Sequence, residues 1–128
     1  MAYYFSKILA ENFDQAVQRA IDALKEQGFG IITQIDVKDT FDKKLGIEFR
    51  NYPILGACNP ALAHEALLIE DKVGTMLPCN VVVQEIGEGR TEVAAIDPVA
   101  SMQAIDNARL KDAARVVRDK LKLALERL

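Results

Sequence analysis

Cysteine and histidine are scarce in this chain: 128 residues hold two of the first and one of the second. Two cysteines are too few for a disulfide-rich scaffold. No CxxC or HxxxH spacing occurs, which removes the common zinc and haem signatures. No run of 18 apolar residues is present, so no membrane-spanning helix is expected. The first residues, Met1-Ala-Tyr-Tyr-Phe-Ser-Lys, lack the charged start, apolar stretch and small-residue cleavage site of a secretory signal. A cytoplasmic location with both thiols reduced is therefore expected. A strong charge is missing too. Sixteen Lys and Arg against nineteen Asp and Glu leave −3, so neither nucleic acid nor a membrane is expected as a partner. Linkers, low-complexity tracts and internal repeats are likewise missing.

What is present suits one soluble domain spanning residues 1–128. Half the residues are hydrophobic and 27% are charged. A chain of this size buries about two-thirds of its unfolded surface, enough for a sound core.

Residues 2–9 read as a first strand. Asn12 caps a helix whose apolar residues run from Phe13 to Leu24 at helical spacing, and Gly28 ends it. Residues 29–37 are β-branched and read as a second strand, and 39–45 as a short polar helix or turn closed by Gly46. Residues 47–58 are extended, but Pro53 implies an edge strand or a break. Asn59-Pro60 opens a second helix, short and mostly buried. Residues 70–78 form a returning loop. Residues 79–86 and 91–97 are two strands about a Gly-Glu-Gly-Arg turn. From Asp106 onward, Leu110, Ala114, Val117, Leu121 and Leu125 form the apolar stripe of a long last helix. This order predicts an α+β fold: a mainly antiparallel sheet of about five strands, helices on one face, and the C-terminal helix across the sheet.

Several stretches resemble the family catalogued as domain of unknown function 302. They are Leu45-Gly-Ile-Glu-Phe-Arg50, Ile54-Leu-Gly-Ala-Cys-Asn-Pro60, Leu77-Pro-Cys-Asn-Val-Val-Val83 and Ala95-Ile-Asp-Pro98. The resemblance spans essentially the whole chain. It implies a fold similar to the TATA-box-binding-protein-like, or helix-grip, group, and often a homodimer. It implies neither DNA binding nor any particular activity.

A two-residue turn at Glu88-Gly89 makes hairpin partners sum to 177, so that Asn80 faces Asp97. Cys79, Val81, Val83, Ala94 and Ile96 then share one face, and Asn80, Val82, Gln84, Val93, Ala95 and Asp97 the other. That register sets Glu85 beside Glu92, an unfavourable pair, and a bulge would move it by one residue. Asn80 and Asp97 are expected to bond each other or nearby backbone. The face carrying Val82, Val93 and Ala95 is too apolar to be left in water. A two-fold homodimer through it, or through an adjoining strand edge, is expected.

Cys58 ends one strand and Cys79 begins another, so an antiparallel pairing brings both thiols to one end of the sheet. Asp97 and Met102 lie near that end. Cys58 precedes a helix N-terminus, which favours a thiolate, and His64 sits one turn into that helix. Cys58, Asn59, His64, Cys79, Asn80, Asp97 and Met102 are thus the candidate site residues. The leading reading is a homodimeric binding or accessory domain with a small-molecule site there, more a binder than an enzyme and with no metal site assigned. One alternative is a thiol- or soft-metal-dependent protein using Cys58, Cys79 and His64. Another is pure self-association. The simplest reading of the same residues is buried thiols and helix caps.

Other features carry less. Lys111, Arg115, Arg118 and Lys122 read as a solvated helix face, with (i, i+4) pairs Arg115–Asp119 and Lys122–Glu126 and no interleaved aromatics. Gly28-Phe-Gly30 follows a helix, the wrong order for a dinucleotide loop. Asp36, Asp39 and Asp42 lack the further ligands of a cation loop. Tyr3, Tyr4, Phe5 and Tyr52 read as core or dimer-contact aromatics.

Overall fold

Alternation of side chains along the hairpin decides which face of the sheet is buried. The computed structural model describes residues 2–128. In chain order these form β1 (Tyr4–Leu9), α1 (Phe13–Glu26), β2 (Gly30–Asp36), α2 (Val37–Leu45) and β3 (Pro53–Cys58). There follow α3 (Pro60–Ile69), a 3₁₀ turn (Asp71–Met76), β4 (Cys79–Gly87), β5 (Arg90–Ile96), α4 (Pro98–Ser101) and α5 (Ala108–Glu126). The strands make one antiparallel sheet in the order β1-β5-β4-β3-β2. The α+β class, the five-stranded antiparallel sheet and the long C-terminal helix are those expected from the sequence.

Each helix begins at an Asn or Asp whose side-chain oxygen accepts a backbone N–H of the first turn. The caps are Asn12, Asp36, Asn59, Asp97 and Asn107. Such caps satisfy donors that would otherwise face water or apolar surface unpaired. Lys7 closes the other end of α5, donating from Nζ to the carbonyl of Glu126 at 3.3 Å. Its charge also suits the negative end of the helix dipole.

The inner sheet face carries Leu55, Val81, Val83, Val93 and Ala95, all buried under α1 and α5. Alanines at 16, 20 and 23 let α1 lie close on β4 and β5. Helix α5 is shared. Leu121, Ala124 and Leu125 join this core, whereas Leu110 and Ala114 join a second, smaller one with Ala66, Val73 and Met102.

Expectation and structure part within the hairpin. The turn is the expected two-residue Glu88-Gly89, with Gly87 opposite Arg90 and Gly89 at φ 67°. A bulge between Glu85 and Gly87 then shifts every partner by one, so Val81 faces Ala95 and Val83 faces Val93. Val93 and Ala95 therefore point into the core, 1% and 0% exposed, and Ala94 and Ile96 lie with Asn80 and Val82 on the other face. The bulge has a physical reward. Glu85 comes opposite Thr91, and Gln84 comes opposite Glu92, donating to its Oε1 at 2.8 Å. An amide–carboxylate bond replaces a carboxylate pair. Of the alternatives for Asp97, the nearby backbone is the one found: it caps α4 by accepting from Val99 N at 2.9 Å. Pro53 marks the expected break rather than an edge: residues 47–52 form no strand, and β3 starts at Pro53. It is the first residue of β3, an interior strand, the one position where a missing N–H is tolerated. Helix α3, expected to be mostly buried, buries only Ala66. Arg115 pairs with Asp112 at 2.5 Å rather than with Asp119.

Gly56 in β3 lies against a neighbouring strand and the β4 entry. A Cβ there would collide with Thr33 Oγ1 and come within 2.7 Å of Pro78 Cγ. Gly56→Ala is expected to lower stability by about 1–3 kcal/mol in urea melts. Adding Thr33→Ala should recover part of that loss. Strictly additive effects of the two changes would show that the collision is not the cause.

Candidate functional site

The two cores meet but do not fuse. Helix α5 is pinned to the sheet at its C-terminal half, and α3 is held by its Asn59 cap and by the 3₁₀ turn. Where the two helices face each other the residues are small: Ala63 and Ala66 on α3, Ala113 and Ala114 on α5. Small residues on helices fixed elsewhere leave space between them. The result is a cleft of about 320 Å³ between α3, the first half of α5 and the ends of β3 and β4. Phe29 and Leu110 are buried in its walls, and Ile32 and Leu67 stand exposed at its mouth.

The cleft takes in part of the candidate set. Cys58, Asn59, Cys79 and Met102 line it. His64, Asn80 and Asp97 are not among the lining residues. His64 follows Ala63 on α3 and is exposed. Asn80 alternates with Cys79 along β4 and so lies on the opposite face of the sheet, exposed. Asp97 is buried, and its carboxylate serves as the α4 cap beside Pro98, a wall residue. The apolar walls from α3 and α5 were missed in the sequence reading. Their signal was available: α3 carries Ala61, Leu62, Ala63, Ala66, Leu67 and Leu68, more apolar residues than a surface helix needs. The structure leaves Leu67 and Leu68 42% and 74% exposed.

No charged side chain lines the cleft; Asn59 and the two thiols are its polar groups. The Asn59 Oδ1 is engaged, accepting from Leu62 N at 3.3 Å. The Ala57–Cys79 register sets Cys58 one step from Cys79 across the β3–β4 ladder. Cys79 is buried, and Cys58 is half-buried. Burial, and then the negative charge of an ionised Cys58, push the Cys79 thiol from its ordinary value up to about 11. Both causes disfavour the thiolate. Among the described residues no group of three or more His, Cys, Asp or Glu side chains is placed to hold a metal ion. No described helix is long and apolar enough to cross a membrane.

The opposite sheet face has no helix of the α1–α5 layer upon it. Tyr4, Ile8 and Ile35 are exposed there, with Val82 and Ala94 half-buried between them. A polar chain borders it: Arg50 Nε donates to Gln84 Oε1 at 2.8 Å, and Gln84 passes the chain on to Glu92. The Arg50 guanidinium lies 4.4 Å from the Phe49 ring centroid.

Residues 5–128 match the family model described as domain of unknown function DUF302. The solved structures include a similar chain, the crystal structure of an uncharacterized conserved DUF302 protein from Bacillus stearothermophilus. The two share a TM-score of 0.90 at 26% sequence identity, covering 99% of this chain and 98% of that one. A comparison with curated proteins gave no match.

The thiols differ enough to be told apart chemically. Only the thiolate is nucleophilic, so Cys58 should be alkylated well before Cys79 at pH 8. Labelling of Cys79 should climb about tenfold per pH unit and level off only near its raised pKa. The same shift sets a stability trend. A folded-state thiol pKa near 11 against an ordinary value of 9.0 contributes stability that is full below pH 9 and is lost as the pH rises towards 11. Peptide mass analysis of timed alkylation checks the order. Equal rates for the two residues at pH 8 would contradict it.

Proposed function

The chain belongs to the DUF302 family, and from its cleft we propose a binding or accessory domain that takes up a small, uncharged, apolar molecule. The observation that carries this reading is the wall: about 320 Å³ enclosed by apolar side chains, with no charged group among them. That volume is at the lower end of the roughly 300–1,000 Å³ typical of small-molecule sites. Each 100 Å² of apolar ligand surface removed from water contributes about 2.5 kcal/mol. A charged ligand would lose its hydration with nothing in the wall to replace it. Asn59 supplies the one side-chain amide for orienting a neutral polar group. The exposed Leu67 and Ile32 at the mouth extend the apolar surface that a ligand meets on entry. The domain acts in the cytoplasm in this reading, where both thiols stay reduced.

The reading includes a two-fold homodimer through the open sheet face. Its basis has moved from Val93 and Ala95, which are buried, to Tyr4, Ile8, Ile35, Val82 and Ala94. A second copy offers the same apolar surface, and the Arg50–Gln84–Glu92 border carries one charge of each sign, so a two-fold partner is self-complementary there.

Two measurements test these points. A neutral fluorophore such as N-phenyl-1-naphthylamine should bind saturably, one per chain. Ala113→Phe, which fills the cleft from a half-buried position, should weaken it roughly tenfold, about 1.4 kcal/mol, without altering the far-ultraviolet circular dichroism. Undiminished binding in that variant would move the site elsewhere. For assembly, light scattering at micromolar concentration should return twice the chain mass, and Val82→Glu should return the monomer. A monomer mass for the unaltered chain would dismiss the dimer.

A further inference from the structure

We propose that the molecule taken up by the cleft is a neutral carbonyl compound, a medium-chain ketone or ester, whose oxygen accepts a hydrogen bond from Asn59 Nδ2. The inference rests on the apolar-ligand reading above and narrows it to one kind of functional group.

The two ends of the Asn59 amide have different duties. Oδ1 belongs to the fold: it caps α3, accepting from Leu62 N at 3.3 Å. That bond sets the plane of the amide and so the direction of its other end. Nδ2 carries two N–H groups. Among the described residues neither is bonded to an acceptor, and the atom is not sealed off by its neighbours. Nδ2 lies over Gly28, where a Cβ would stand 2.9 Å from it. The next residue, Phe29, is buried in the cleft wall, and Asn59 is itself a half-buried wall residue. The cap thus presents a free donor at the corner where β3 gives way to α3.

The wall offers this donor without a matching acceptor. The Asn59 carbonyl accepts from Ala63 N at 2.9 Å, and Oδ1 is engaged by Leu62 N. The thiols of Cys58 and Cys79 are weak in either role, and the other wall side chains are apolar. A ketone or ester brings an acceptor and no donor, so its polar atom is paired and nothing is left over. An alcohol of the same skeleton also accepts from Nδ2 but leaves its O–H facing apolar surface. A carboxylate brings a charge that no wall group balances.

Volume bounds the chain length. A cleft of about 320 Å³ holds roughly ten groups of about 30 Å³, the share of one water molecule in the liquid. The methyl ketone 2-nonanone has that size, and 2-nonanol differs from it only at the oxygen.

The test is competition of these two compounds against bound N-phenyl-1-naphthylamine. For the unaltered chain the ketone should displace the fluorophore with an inhibition constant about fivefold below that of the alcohol, the worth of one neutral hydrogen bond. In Asn59→Asp the order should reverse. Aspartate keeps the cap, but its carboxylate has no N–H for the ketone and accepts from the alcohol O–H. In Asn59→Ser, neutral and also a good cap, the two constants should draw level. Far-ultraviolet circular dichroism confirms that each variant is folded. Equal constants in the unaltered chain, or a ketone preference that persists in both variants, would overturn the proposal while fluorophore binding leaves the apolar cleft standing. Absence of fluorophore binding by the unaltered chain would remove both readings together.

Discussion

The fold depends on one helix being held in two places. Helix α5 contributes to the sheet core through Leu121, Ala124 and Leu125, and to the smaller core through Leu110 and Ala114. Its position is therefore over-determined, and its middle turns cannot move towards α3 to close the gap between them. Close packing elsewhere is what keeps this gap open: a helix free to shift would collapse onto its neighbour and recover the lost contacts. The cleft is a consequence of that double anchorage together with alanines on both facing helices.

The broad plan could be read from the residues because the signals were local. Asn caps, the two-residue turn at Glu88-Gly89, and helical spacing along α1 and α5 are decided within a few residues of each other. The lines of error were non-local. The face of the sheet on which Val93 and Ala95 lie depends on a single extra residue in β4, and nothing within the hairpin except the clash of Glu85 with Glu92 announces it. One bulge exchanges the two faces of an entire strand. Pro53 reads as a break or an edge, and only the break is found, because a proline that comes first in a strand is tolerated even when that strand is interior.

The site divides along the same line. The convergence of Cys58, Asn59, Cys79 and Met102 on one cleft follows from antiparallel pairing and chain continuity, both of which are visible in sequence. His64 and Asn80 were drawn in by nearness along the chain. Each is one residue from a wall position, Ala63 and Cys79, and in a helix or a strand one residue is enough to turn a side chain away. The apolar residues of α3 and α5 were visible but read as core, because alanine and leucine at helical spacing look the same whether they fill a core or line a void.

The small core has a further consequence, in time rather than in space. Ala66, Val73, Met102, Leu110 and Ala114 come from segments that contribute no strand to the sheet. They can separate while β1 to β5 remain paired. Openings of such limited extent cost less than global unfolding and occur far more often, and amide hydrogens report them as early exchange. A ligand of the kind proposed would leave at the rate of that local opening rather than at the rate at which the sheet unfolds.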